Sequence, residues 1–391
     1  MDRLKVQEIL DLVKRIKGDA IFYDLHMHPF EVMFSSFAYR PSPHDKDLFS
    51  TDSSQYVSPQ TTDMKLNHSM DVGEKRIDET LRAKLCLFNA RRFYAHTGAK
   101  VFADQMNLCG IDRALLLPVM AAAESGDGQL EAVAQMFNDK RFLSAYCVPN
   151  NIPNAGVEQA VRQVAGKFGV RALKIHPSIT GIDLSHSAGI DRVEHLLAAA
   201  EKCGLFVMIH GGLSPDCQNS AAVRYGEAKY LLNIDWSLTK ATVVIAHAGL
   251  FGHSDDDCRK NVWPIMEKMF EQHDHLAVDT SGLFFNPLCL LLRSFDQKKI
   301  YFGSDALYEK PWMAMVKLWC ALLQTAENCE EALVEIVGTN SSKLLAQRTG
   351  SDPKERGEVE PLCRCNRIAQ LLPTPEPYPF HDELSSKEYG C

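Results

Sequence analysis

The amino-acid sequence predicts an α/β protein built as a (β/α)8 barrel. Short apolar runs alternate with helical patterns along most of the 391 residues, and eight such units can be counted. Strands that alternate with helices form parallel sheets, and eight units are enough to close a sheet into a barrel. An open doubly wound sheet is the alternative, but no Gly-x-Gly-x-x-Gly pattern follows the first strand to support it.

The predicted elements follow the periodicity of the apolar residues. The predicted strands are 20–23, 113–119, 141–148, 171–175, 205–209, 242–246, 275–279 and 299–302. The predicted helices are 129–138, 155–168, 191–203, 221–232, 259–273, 287–295, 311–324 and 330–336. An amphipathic helical pattern at residues 1–19 precedes the first strand as an N-terminal extension.

One connection is much longer than the others. Residues 30–82 form an insertion after the first strand that is rich in Ser, Asp, Pro and Met and has weak periodicity. Because it leaves the strand end where barrel active sites lie, we expect a lid, with a solvated or oligomer-contacting insertion as the alternative. We expect residues 1–350 to form the barrel domain and the polar, Pro-rich residues 351–391 to form a C-terminal extension.

Composition narrows the classes of function. The net charge of -8 gives no basic surplus for binding nucleic acid or an anionic membrane. The twelve cysteines include no Cys-x-x-Cys pair and are typical of reduced thiols. The N-terminus lacks the apolar core of a signal peptide, and no segment approaches the length of a membrane span. We therefore expect a cytoplasmic protein that acts on a small molecule, with a homo-oligomer left open.

Polar side chains follow the predicted strands at the end where a barrel builds its active site. His26 and His28 follow the first strand, His210 the fifth, His247 the sixth and Asp305 the eighth. Residues i and i+2 of a strand share a face, so the first two imidazoles should lie side by side. These strand ends meet at one rim, and several imidazoles with a carboxylate suit a divalent transition metal, with zinc the leading candidate.

The fourth strand carries a lysine inside its apolar run. Burial of Lys174 is costly unless the amine is paired or neutralised. The lysine could form a salt bridge to Asp305 or another carboxylate at the rim. Alternatively, a lowered pKa would let the amine react with carbon dioxide to form a carbamate, which could bridge two metals. His176, two residues later, is either a rim residue or a substrate contact.

Six motifs resemble the amidohydrolase superfamily of metal-dependent hydrolases. They are DLHMHPF, RALKIHP, FVMIHGG, VVIAHAG, YFGSDA and GTNSSKLL, in this order along the chain. The resemblance is to the amidohydrolase-related branch, which has a TIM barrel and includes both hydrolases and decarboxylases. It does not extend to the insertion after the first strand, so it does not identify the substrate.

The resemblance implies a role for each residue at the strand ends. His26, His28 and His210 would be metal ligands. His247 would bind a second metal or act as the catalytic base, and Asp305 would bind metal and accept a proton from the attacking water. Lys174 falls where binuclear members carry a carboxylated lysine, so the resemblance allows one or two metals.

This ligand set predicts hydrolysis as the main activity. A metal lowers the pKa of bound water, and Asp305 could take its proton while His247 or His176 stabilises the oxyanion of an amide, ester, lactone or phosphoester. The alternative is a nonoxidative decarboxylase of a small aromatic carboxylic acid, with Arg40 of the insertion as a candidate substrate contact. A catalytically inactive barrel that acts as a binding protein is a third reading.

Overall fold

Eight parallel strands form a barrel in the computed structural model, which describes residues 6–28, 99–119, 140–167, 170–214, 221–306 and 309–346. The strands are β1 (Tyr23–Met27), β2 (Arg113–Leu116), β3 (Phe142–Tyr146), β4 (Val170–Ile175), β5 (Phe206–Gly212), β6 (Val243–Phe251), β7 (Leu276–Asp279) and β8 (Ile300–Tyr301). Each strand pairs with the next in the sequence. The backbone N–H of Leu25 donates to Phe302 over 2.9 Å, and a parallel bridge joins Met27 to Ala306. The eighth strand therefore meets the first, which confirms the predicted fold class.

Helices follow the strands around the outside of the barrel. Within the described ranges they are α1 (Val6–Lys17), α2 (Ala99–Cys109), α3 (Val157–Lys167), α4 (Pro177–Thr180), α5 (Ser187–Cys203), α6 (Ala228–Leu231), α7 (Asp255–Asp257), α8 (Trp263–Gln272), α9 (Phe285–Ser294), α10 (Pro311–Thr325), α11 (Cys329–Val334) and α12 (Asn340–Ala346). Among these described residues, none of the helices combines the length and apolar character needed to span a membrane.

Four elements differ clearly from the prediction. The first strand lies at Tyr23–Met27 rather than 20–23, because buried polar residues take part in it and apolar content alone does not detect them. β5 and β6 extend several residues further than predicted, since Gly212 pairs with Phe251 beyond the apolar runs. The helix predicted at 221–232 is reduced to a 3-10 turn and the short α6. The predicted helix 129–138, the insertion 30–82 and the extension 351–391 lie outside the described residues.

Buried side chains separate into two layers. A large cluster lies between the strands and the helices, and a smaller one is drawn almost entirely from the strands. The smaller cluster consists of Tyr23, Leu25, Leu115, Leu117, Ala145, Ala172, Phe206, Met208, Val244, Ala246, Ala277, Tyr301 and Leu344. This is the interior of the barrel. Lys174 and His210 alternate in phase with Ala172 and Met208, so both face the interior toward its C-terminal end.

The helix that follows β8 is buried on all sides. In α10, every residue from Pro311 to Leu322 is buried, and α1, α2, α9 and α11 pack against it. It includes Lys317, whose Nζ lies 2.8 Å from Oε2 of Glu309 in an ion pair that is almost fully buried. The backbone N–H of Glu309 donates to the carbonyl of Asp305. This ion pair therefore connects α10 to the loop that carries Asp305.

Candidate metal centre

Two histidines and a carboxylate meet where β1 joins β8. Nε2 of His26 lies 2.9 Å from Nε2 of His28. Oδ1 of Asp305 lies 3.5 Å and 3.4 Å from these two nitrogens. The backbone fixes this arrangement, because the N–H of Asp305 donates to the carbonyl of His26 and the N–H of His28 donates to that of Ala306. The two imidazoles are therefore side by side, as the alternation along the strand predicted.

His247 approaches the same group from β6. Its ring centroid is 4.9 Å from that of His26, and one candidate ligand atom each from His26, His247 and Asp305 lies within 4.8 Å of the others. His247 and Asp305 have φ angles of 57° and 58°, in the left-handed region that non-glycine residues rarely adopt. Such strain costs about 1–3 kcal/mol and is concentrated at functional sites.

Hydrogen bonds fix the tautomers of these histidines. Nδ1 of His26 lies 2.7 Å from a carboxylate oxygen of Asp279, and Nδ1 of His28 lies 2.8 Å from the carbonyl of Leu117. Nδ1 of His247 lies 2.8 Å from the carbonyl of Ser281. Carbonyl and carboxylate oxygens accept hydrogen bonds, so each Nδ1 carries the proton and each Nε2 keeps a lone pair.

These tautomers test whether the residues suit a metal ion. Two lone pairs that face each other at 2.9 Å, on Nε2 of His26 and of His28, repel unless a cation lies against both. The Asp305 carboxylate beside them adds a negative oxygen ligand. Histidine ligands that donate their other N–H to a carboxylate or carbonyl are typical of metal sites, so these residues suit a divalent metal.

His210 lies beside this group with the opposite tautomer. Its Nε2 is 3.1 Å from the carbonyl of Leu213 and 2.9 Å from Oγ of Ser214. Nε2 therefore donates to the carbonyl, and the lone pair is on Nδ1. The ring centroid of His210 is 4.9 Å from that of His247. Its position is compatible with the predicted ligand role, through Nδ1 rather than Nε2.

Lys174 is buried in the barrel interior, next to His26. Its Nζ is 3.4 Å from Nε2 of His26, and in the described part of the chain no carboxylate lies within ion-pair distance of it. The salt bridge considered from the sequence is therefore not formed with a described residue. Burial lowers the pKa of Lys174 to about 8, although the charges of Asp279 and Asp305 act in the opposite direction. An amine with such a pKa is more reactive at neutral pH than an exposed lysine.

The ionisation states follow from burial and from neighbouring charges. Burial by itself would raise the pKa of Asp305, but the close polar contact with His28 and the nearby rings of His247 and His26 bring this pKa well below its usual range. Burial lowers the pKa values of His26 and His247. At neutral pH Asp305 is therefore an ionised carboxylate and His26 and His247 are neutral imidazoles, the forms that bind a metal.

The two predicted substrate contacts have different outcomes. His176 follows β4, is buried, and stacks its ring on that of His210 with the centroids 4.0 Å apart. The structure therefore places it beside the candidate metal centre, and its predicted role as a substrate contact stays a prediction. Arg40 lies outside the described residues, and its predicted role stays a prediction.

Three further residues hold the histidines in place and are absent from the set predicted from the sequence. Asp279 binds Nδ1 of His26 through Oδ2 and accepts the backbone N–H of His247 through Oδ1, each over 2.7 Å. Ser281 places its Oγ 2.9 Å from Nδ1 of both histidines. Asp24 accepts the backbone N–H groups of His26 and Ser304, and burial raises its pKa to about 7. Asp279 could have been found, because it ends the seventh apolar run.

The chain belongs to the amidohydrolase family. The family model described as amidohydrolase matches residues 119–346, which is more than half of the chain. This range includes β3 to β8, and with them Lys174, His210, His247 and Asp305. The protein is therefore an enzyme of the amidohydrolase superfamily, with a TIM barrel and a site suited to a divalent metal. A search of curated proteins finds no match to the chain.

The chain is similar to several solved structures at low sequence identity. A 5-carboxyvanillate decarboxylase from Novosphingobium aromaticivorans, complexed with manganese and 4-hydroxy-3-methoxy-5-nitrobenzoic acid, is 12% identical with a TM-score of 0.53, covering 84% of this chain and 97% of its own. A probable 2-pyrone-4,6-dicarboxylic acid hydrolase from Acinetobacter baumannii is 13% identical with a TM-score of 0.47, covering 84% and 100%. A 2,6-dihydroxybenzoate decarboxylase from Rhizobium is 15% identical with a TM-score of 0.47, covering 69% and 95%.

Proposed function

We propose that this enzyme is a metal-dependent hydrolase of a small molecule with an amide, ester, lactone or phosphoester bond. One observation carries the proposal: the Nε2 lone pairs of His26 and His28 converge beside the ionised carboxylate of Asp305. With His210, these residues would hold a divalent transition metal, for which zinc is the leading candidate among ions that prefer imidazole and carboxylate ligands.

The roles in hydrolysis follow from protonation states. A bound divalent metal would lower the pKa of a water molecule and polarise the oxygen of the scissile group. Asp305 has a lowered pKa, so at neutral pH it is ionised and able to take a proton from the attacking water. His247 is anchored through Nδ1, so its Nε2 is able to accept a proton or bind a second metal.

Nonoxidative decarboxylation of a small aromatic carboxylic acid is the second candidate. The structural similarity to the 5-carboxyvanillate decarboxylase, the one reported neighbour with a TM-score above 0.5, favours it. In that reaction the metal ligands would hold the substrate, and His247 would manage the proton at the reacting carbon. Both reactions use the same residues, so the product distinguishes them.

The test of function combines metal analysis with product analysis. Purified protein, prepared without chelator, should contain stoichiometric zinc or another divalent transition metal. It should hydrolyse members of a panel of lactones, esters, amides and phosphoesters. Release of carbon dioxide from aromatic acids without any hydrolysis would replace the first candidate by the second. Protein without bound metal and without either activity would support the binding-protein reading.

Substitution of the two β1 histidines tests the ligand assignment. The double variant His26→Ala, His28→Ala should lose metal and activity while it keeps the far-ultraviolet circular dichroism of the parent. His195→Ala is the matched control, because His195 is half exposed on α5 and remote in sequence from the strand ends. Metal retained by the double variant at the level of the control would contradict the assignment.

The state of Lys174 would decide how many metals the site holds. We propose that the amine of Lys174 adds carbon dioxide and loses a proton to form a carbamate, whose oxygens would be ligands for two metals. The buried amine has a pKa of about 8 and lies 3.4 Å from Nε2 of His26, which supports this proposal. Protein prepared with bicarbonate should then contain two metals per chain, and Lys174→Met should contain one or none. One metal in the parent under the same conditions would show a site with a single metal.

A further inference from the structure

His176 combines three properties beside the candidate metal centre. It lies two residues after Lys174 on the inward face of the barrel, and its ring is stacked on that of His210 with 11° between the planes. Its fractional exposure is 7%. Its ring is therefore fixed in place by packing rather than free at the surface.

The hydrogen bond at the start of α4 sets the tautomer of His176. Nδ1 accepts the backbone N–H of Ile179 over 3.3 Å, so Nδ1 bears a lone pair. A neutral imidazole with a lone pair on Nδ1 carries its proton on Nε2. Among the residues that the structure describes, none accepts a hydrogen bond from this Nε2–H. This tautomer is the reverse of that of His26 and His28.

A fixed donor beside the candidate metal ligands is suited to bind an oxygen of another molecule. Among the described residues, Nε2 of His176 is not one of the fully buried side-chain atoms that lack a partner, so a ligand at the metal centre can reach it. We infer that Nε2–H of His176 binds an acceptor oxygen of the substrate, either of its carboxylate or of its carbonyl group. This inference rests on the proposed function, because it assigns a role beside the same metal centre.

The role of His176 as a helix cap is the structural alternative, and two substitutions separate the roles. In His176→Asn, the amide oxygen stands where Nδ1 was and keeps the cap, but the distal donor is lost. In His176→Gln, the longer side chain places an amide N–H near the former Nε2 and loses the cap. His176→Asn therefore tests the donor to the substrate, and His176→Gln tests the helix cap.

Binding measurements on the metal-loaded full chain test the inference. Benzoate supplies a carboxylate and benzamide a neutral carbonyl, and each is titrated by calorimetry into the parent and both variants. We expect His176→Asn to weaken binding about tenfold or more, the loss typical of one hydrogen bond to a charged group. We expect His176→Gln to retain most of it. If only benzoate binds more weakly to His176→Asn than to His176→Gln, His176 binds a carboxylate; if only benzamide does, it binds a carbonyl group.

The outcomes separate this inference from the proposed function. The inference is overturned if His176→Asn binds both probes as tightly as the parent, if His176→Gln is the weaker binder, or if the parent binds neither probe. A zinc titration of the parent separates failure of the inference from failure of the proposed function. A parent protein that binds no zinc contradicts the proposed function and, with it, the role of His176. Normal zinc binding with any of the three results above contradicts only the role of His176. His195→Asn is the control and should match the parent throughout.

Discussion

Replacement of Asp279 by Asn should weaken metal binding although Asp279 is not itself an expected ligand. The carboxylate is fully buried and contacts two histidines, through Nδ1 of His26 and the backbone N–H of His247. Asn has nearly the same shape, and its amide oxygen would still accept the N–H of His247. Its amide nitrogen would then face Nδ1 of His26.

The size of the effect follows from the tautomer of His26. Two N–H donors cannot face each other at 2.7 Å, so the proton of His26 would move to Nε2, where the lone pair is needed for the metal. Loss of such an outer hydrogen bond typically costs about 10–100-fold in metal affinity. This corresponds to about 1.4–2.8 kcal/mol, since each tenfold change is about 1.4 kcal/mol.

Competition with a chromophoric chelator measures this change in affinity. Metal-free parent and Asp279→Asn are titrated with zinc, and circular dichroism confirms that both are folded. Asp274→Asn is the control, because Asp274 is fully exposed on the loop before β7 and should leave the affinity unchanged. A folded Asp279→Asn protein with the zinc affinity of the parent would refute the argument from the tautomer.

Two further predictions concern residues around the site. Lys317→Met leaves Glu309 buried without its partner and should lower the free energy of unfolding by about 3–5 kcal/mol in urea denaturation. Lys260→Met removes an exposed ion pair and should change the free energy of unfolding by less than about 1 kcal/mol. Equal losses of stability in the two lysine variants would contradict the role of burial. Gly303→Ala would place a Cβ 2.6 Å from the Cβ of His26, so zinc affinity should fall at least about tenfold. An unchanged zinc affinity would show that the backbone after β8 moves easily.

The predicted strands show which parts of the fold can be detected from the pattern of apolar residues. Runs such as Phe206–Ile209 and Val243–Ala246 are buried on both faces, as strands of a parallel sheet are, and apolar content is enough to detect them. The first strand was misplaced because Asp24 and His26 are buried polar residues that bond within the structure. A pattern of apolar residues gives no sign of these hydrogen bonds.

The candidate site also contains some residues that a sequence pattern reveals and others that it does not. The sequence nominates His26, His28, His210, His247 and Asp305 because each follows or ends an apolar run, and parallel strands in a barrel end at the same rim; their roles as ligands stay predictions. Asp279 was missed even though it meets this criterion, whereas the interactions of Ser281 with the histidines have no sequence signal. The contact of Ser281 with His26 joins side chains 255 residues apart in the chain, and the contact with His247 joins side chains 34 residues apart.

The sequence by itself determined the eight-unit barrel, the residue types at its rim and their order along the chain. Alternation along a strand also determined that His26 and His28 share a face. Only the tertiary structure decided which nitrogen of each histidine is protonated, because this depends on distant acceptors such as Asp279 for His26 and the carbonyl of Leu117 for His28. It also decided that the amine of Lys174 faces an imidazole rather than a described carboxylate, since distances between strands are set only when the barrel closes.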